Sequence, residues 1–483
     1  MNRSVPASVS IPALVLAVAV VLAGCGAPVA DSAPAANGGE PESDDAGNGL
    51  EIRSGSLPID GDETLERTEA MLGVAIDPPV VYVDDSLAAG GTGVRDPSSF
   101  DAVVGMPFPD SADVGGELTV GGAASPFSAV YVAPAEESSP AEIEQVLVHE
   151  LVHAAQFQQR VPQQVRTEIP DDHRSTRDAE LVITSMLEGG AVYGSSVYTE
   201  RHGLAIDPEI EVLERLYPNA SAGTKLVWGP YYYGGQYIDS VAADPDDHWK
   251  VYEEPPVTMR QVLHGEGEPV LEPFEATLTS EDDNGSWEEI RQETMGEFVV
   301  RLVLETQLST ETSTDAASGW AYDRQLRVAS DDESPDGHVW SVRFEDSANA
   351  STYVTALASY LDARADSSEG TVSTVDDSNV SAADSNDSDV SNTTWYADEY
   401  AFTTATPDER TVALVGGPEA FVEAASVEAT ADGDPDMETE TKTDIRLSVT
   451  DTRDENATQS VTAPGLSLGA VAGSVSASGV VAP

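Results

Sequence analysis

The sharpest chemical pattern in the chain is His149-Glu150-Leu151-Val152-His153. In a helix, positions i and i+4 lie one above the other on the same face, so both imidazoles can ligate one metal ion. Glu150, next to the first histidine, can then reach a metal-bound water as general base. The chain has only seven His, and a random match of this kind is expected about 0.01 times in such a composition. The flanks fit a helix. Ser139-Pro140-Ala141-Glu142 reads as a capping box with proline at the first helical position. It opens a helix to about Gln159 whose apolar side is Ile143, Val146, Leu147 and Leu151.

A catalytic zinc site needs three protein ligands and a position for water. The downstream candidates are His173, Asp178, Glu180 and Glu188, and Glu188 is favoured. It falls in a helical pattern with Glu180 and Thr184 on its face, and Gly189-Gly190 is expected to end or kink that helix beside the metal. The reading is Zn2+ held by His149, His153 and Glu188, with Glu150 taking a proton from a water whose pKa the zinc lowers toward about 7. A side-chain donor would share the oxyanion with the zinc. Tyr233, Tyr232 and His264 are candidates, although Tyr231 to Tyr233 also read as core aromatics.

The elements that must position these residues point to an α+β fold. Helices are expected at Thr64 to Leu72, Thr176 to Gly189, Val192 to Thr199, Trp287 to Gln307, Ser351 to Ala365 and Pro418 to Ala425. Strands are expected at Val80 to Val83, Phe100 to Val104, Ala129 to Val132, Val339 to Phe344, Tyr396 to Thr403 and Thr411 to Val415. Ala129 to Val132, just before the motif, is a candidate for binding an extended peptide by strand addition. The expected organisation is a leader at 1–25, a tether at 26–55, and a metallopeptidase core at 56–280. An α+β portion at 281–425 follows, with a disordered loop at 366–394, and then a disordered acidic tail at 426–483.

His149-Glu150-x-x-His153 followed by a helix bearing Glu188-Gly189 resembles the gluzincin group of zinc metallopeptidases. The wider pattern resembles poorly characterised exported proteins of bacteria and haloarchaea. Its segments here are His149 to Gln156, Glu188 to Ala191, Pro230 to Gly235, Pro255 to His264 and Ala317 to Arg324. The resemblance covers roughly residues 57–425. It implies a zincin-like core with a mixed sheet and a shared site, without naming a substrate. Met259-Arg260 stands where that pattern has an acidic residue before Gln261.

Charge sets the setting. With 23 basic and 86 acidic residues the chain carries −63, and lysine occurs only at 225, 250 and 442. Such a surface excludes nucleic acid or anionic lipid as electrostatic partners. It resembles secreted haloarchaeal proteins, whose carboxylate repulsion is screened when the Debye length falls to about 3 Å near 1 M salt. Leu22-Ala23-Gly24-Cys25 ends a short apolar run and resembles a lipobox, which implies lipidation at Cys25. Cys25 is the one cysteine, so no disulfide and no cysteine-based zinc site exists. Beyond the leader, seven asparagines open Asn-x-Ser/Thr triplets, more than chance supplies: Asn219, Asn284, Asn349, Asn379, Asn386, Asn392 and Asn456. Glycosylation would place them on the surface. The expectation is a monomeric zinc metallopeptidase acting on peptide or protein, lipid-anchored on the outer face of the membrane and adapted to high salt. The alternative is a surface binding or envelope-maintenance protein with structural zinc.

Overall fold

A computed structural model describes residues 14–16, 49–83, 97–107, 118–126, 129–134, 138–242, 244–265, 271–280, 287–330, 334–369, 393–432 and 442–449. Its architecture is α+β. Cys25, residues 370–392 and the sequons at Asn284, Asn379, Asn386, Asn392 and Asn456 lie outside the described residues, whereas the ends of the loop expected to be disordered at 366–394 are ordered, Ser367–Glu369 pairing with the strand Thr394–Ala397. Of the other two sequons, Asn219 is exposed, and Asn349 is half-buried with its side chain against Gly319. Among the described residues no helix is long and apolar enough to cross a membrane.

The first sheet has four strands in the order Glu51–Ser54, Val80–Val83, Ala129–Val132, Gly122–Ser125. The first three run parallel, and the last turns back antiparallel to its neighbour. Glu51–Ser54 lies inside the segment expected to be a tether, because its backbone completes the sheet beside Val80–Val83. Ala129–Val132 is interior, and Gly122–Ser125 is the edge. Phe100 to Val104, expected as a strand, is instead the helix Ser99–Val103. Ser98 and Asp101 close a capping box there, which outweighs the β-like run of apolar residues.

The motif helix, Pro140–Gln158, carries the expected Ser139 box. Its residues Val146, Leu147, Val148, Leu151 and Val152 pack with Val81, Val130 and Val132 of the sheet in one buried cluster. Next to it runs a single 26-residue helix, Arg177–His202. The kink expected at Gly189-Gly190 is absent. The pair serves close packing: a Cβ on Gly189 would stand 2.2 Å from the backbone of Gly234, in the helix Ala222–Val241. One on Gly234 would meet the Ser185 carbonyl oxygen at 2.2 Å. Two helices therefore cross with their backbones nearly touching.

Beyond them lies a seven-stranded antiparallel sheet in the order Ser367–Glu369, Thr394–Ala397, Tyr400–Asp408, Thr411–Gly417, Gly337–Phe344, Trp320–Ser330, Trp287–Glu293. Trp287 to Gln307 is thus not one helix. The chain leaves the strand at Glu293, Asp323 accepts from the backbone N–H groups of Met295 and Gly296 at 2.8 and 2.9 Å, and helix Glu297–Glu305 begins. Tyr396 to Thr403 is two strands, separated at Asp398 with φ 55°. Part of the expected acidic tail is ordered: Ala425–Asp432 pairs antiparallel with Lys442–Val449, which pairs parallel with Ala276–Ser280. Ile445, Leu447 and Val449 are buried against Phe274 and Phe421.

Candidate metal centre

The motif helix and the Arg177–His202 helix bring His149, His153 and Glu188 together. His153 Nε2 lies 3.1 Å from His149 Nε2 and 3.1 Å from Glu188 Oε2, and His149 Nε2 lies 3.5 Å from Glu188 Oε2. Three ligand atoms at zinc-like bond lengths of about 2.0–2.1 Å from a tetrahedral centre are about 3.3 Å apart. The spacing fits a metal ion. All three side chains are at most 1% exposed.

The outer ring nitrogens fix both imidazoles. His149 Nδ1–H donates to Glu209 Oε2 at 2.9 Å, and Ser195 Oγ donates to the same oxygen at 2.5 Å. His153 Nδ1–H donates to Gln156 Oε1 at 2.8 Å. Gln156 is held in turn through its amide nitrogen by Leu187 O at 2.9 Å and Tyr252 OH at 3.0 Å. With both Nδ1 atoms protonated, each Nε2 offers a lone pair toward the Glu188 carboxylate. Only a cation or a proton relieves three acceptors at such separations.

The electrostatics follow from that crowding. Burial lowers the His149 pKa, yet the Glu209 and Glu188 carboxylates override it and hold the ring well above its usual value. Burial raises Glu188, but the two histidines pull its carboxyl below the ordinary value. Glu150 is pushed up to about 7, chiefly by burial. Neither of its carboxylate oxygens has a hydrogen-bond partner, although the side chain is 0% exposed. Gly122 lies against it: a Cβ there would stand 2.7 Å from Glu150 Cγ and Oε1. A buried carboxylate with unused oxygens beside a metal-ready trio is what a proton acceptor for water needs.

The other candidates sit elsewhere. Asp178 is buried and takes His173 Nε2 at 2.9 Å and the Met259 N–H at 3.2 Å, so His173 and Asp178 pair with each other. Glu180 is exposed. Tyr233 packs on Tyr217, Tyr232 and Phe298. His264 is taken by Glu297 at 2.9 Å. The tyrosine at the cluster is Tyr231, its ring 6.4 Å from that of His149 and inclined by 21°. Burial first, then Glu188, Glu150 and Glu209, hold its hydroxyl well above the ordinary pKa, so it stays a donor. Glu209 had no sequence signal beyond an acidic residue in the first turn of helix Glu209–Leu216.

A family model described as Domain of unknown function (DUF8575) matches residues 286–427. That span begins at the edge strand of the seven-stranded sheet and ends within Ala425–Asp432, so it contains none of the metal-site residues. No curated protein matches the chain, and no solved structure matches it.

Proposed function

We propose that the protein is a zinc-dependent peptidase of the cell surface. The observation that carries this reading is the unpartnered, buried Glu150 carboxylate beside the His149, His153 and Glu188 ligand trio. A structural metal site has no use for a base at that position. Zinc, when bound, supplies Lewis acidity to water and to a scissile carbonyl. Glu150, with its carboxyl pushed up to about 7, accepts the proton of the attacking water and returns it to the leaving amine. The Tyr231 hydroxyl donates to the developing oxyanion. The edge strand Gly122–Ser125, whose outer side has no paired strand among the described residues, receives an extended peptide by strand addition. This role moves there from Ala129–Val132, which is paired on both sides.

The Leu22 to Cys25 lipobox supports lipid anchoring outside the cell, and the −63 charge supports work in high salt. One observation favours a second reading, a binding or envelope-maintenance protein with structural zinc: every ligand is at most 1% exposed. The test is cleavage of an unbiased peptide mixture in concentrated salt, read by mass spectrometry. Cleavage that a chelator stops and zinc restores supports the peptidase. A zinc-loaded protein that leaves every peptide intact moves the assignment to the second reading.

A further inference from the structure

A cavity of about 60 Å³, lined by charged and polar side chains together with Phe100, Leu226, Met295 and Val299, lies where the Arg177–His202 helix meets the seven-stranded sheet. Arg177 comes from the start of that helix, Arg291 from the edge strand, and Arg327 and Gln325 from its neighbour. His338 comes from the next strand, and Ser98 and Asp101 from the short capped helix. Arg177 precedes Glu188 by eleven residues, about 16 Å of helix rise, so the cavity is separate from the metal centre.

The walls are rich in donors. Three guanidiniums line this one cavity in a chain with 23 basic residues and a charge of −63. Asp101 spends a carboxylate oxygen on the Ser98 N–H and hydroxyl at 2.8 and 2.7 Å. Glu293 pairs with Arg291 at 2.8 Å, and Asp336 pairs with Arg327 at 2.6 Å. The decisive group is His338, which is 3% exposed. The Gln325 amide nitrogen donates to its Nδ1 at 2.8 Å, so the ring proton sits on Nε2. That buried N–H has no partner. Leaving such a donor unmet costs about 1–3 kcal/mol.

We propose that this cavity binds a small monovalent anion, a halide or a carboxylate, which accepts the His338 Nε2–H and is held by the surrounding guanidiniums. A metal cation is disfavoured by the three arginines, and an apolar group leaves the His338 donor unmet. The size admits a chloride ion or a single carboxylate group. Such an anion would tie the Arg177 end of the Glu188-bearing helix to the seven-stranded sheet.

The test follows the His338 Nε2–H resonance by NMR in the full-length chain, with ionic strength held constant by methanesulfonate. Sodium chloride and sodium acetate are titrated in separate arms. A saturable shift in either arm, weakened about tenfold in Arg291→Met, the worth of one charge-assisted contact, supports the site. The responding arm identifies halide or carboxylate. Arg291 is a half-exposed edge residue, and its substitution leaves the core intact. His338→Phe, checked for folding by near-UV CD, should abolish any chloride or acetate dependence of the melting temperature. A flat response in both arms overturns the proposal. So does an equal response in wild type and Arg291→Met, which would mean an adventitious ion only.

Discussion

Glu209 Oε2 stands 2.9 Å from His149 Nδ1, on the side of the ring away from the ligand cluster. The carboxylate fixes the tautomer that frees Nε2, and Ser195 fixes the carboxylate. Such outer partners are worth about 10–100-fold in metal affinity. Glu209→Gln should weaken zinc by about that factor in a competition titration. Glu180→Gln, an exposed change on the helix bearing Glu188, should leave affinity unchanged. Equal affinity in wild type and Glu209→Gln would remove Glu209 from the metal centre.

Tyr231, whose ring lies 6.4 Å from that of His149, is the proposed oxyanion donor. Tyr231→Phe should lower kcat by about 10²–10³ while KM and zinc content stay near wild type. Tyr233→Phe should cost less than about threefold, since Tyr233 packs on Tyr217 and Phe298. A reversal of that order would restore the sequence-based choice of Tyr233.

Gly189 and Gly234 let two helix backbones cross at the level of Glu188. Gly189→Ala puts a methyl group where the Gly234 backbone stands, and overpacking of this kind costs about 1–3 kcal/mol or more. Denaturant unfolding in concentrated salt should show that loss together with reduced zinc retention. Unchanged stability would mean that the helices cross less closely.

Acid should unfold the protein partly through His248. It is 1% exposed, its Nδ1–H donates to Pro245 O at 2.7 Å, and burial lowers its pKa to about 4. The unfolded chain takes up a proton near pH 6.5 and the folded one only near 4, so stability falls as pH drops between these values. The loss is at most about 3 kcal/mol for this residue. His248→Phe should flatten that part of the stability curve, and an unchanged slope would locate the acid sensitivity in other groups.

The sequence carried the part of the site that local spacing encodes. The i, i+4 histidines, the Ser139 box and the helix bearing Glu188 are all short-range patterns. What it did not carry depends on the tertiary path. Glu209 arrives on a later helix, Tyr231 is singled out from its neighbours only by helix rotation, and Gly122 matters because an edge strand lies against Glu150. Gly189-Gly190 looked like a helix end because local propensity is read without the partner helix. Lys442–Val449 looked disordered because it lacks aromatics, yet its alternating Ile445, Leu447 and Val449 complete a sheet. Ser99–Val103 shows the opposite case, where the Ser98 and Asp101 cap was in the sequence and outweighed an apolar run.

The central claim is that Glu150 works as a base beside a bound metal. Wild type and Glu150→Gln should each be brought to one zinc per chain and assayed on the same peptide mixture in concentrated salt. The account predicts cleavage by wild type and a loss of about 10²–10⁴ in the variant at equal zinc content. Equal cleavage by both proteins, or none by zinc-loaded wild type, would contradict it.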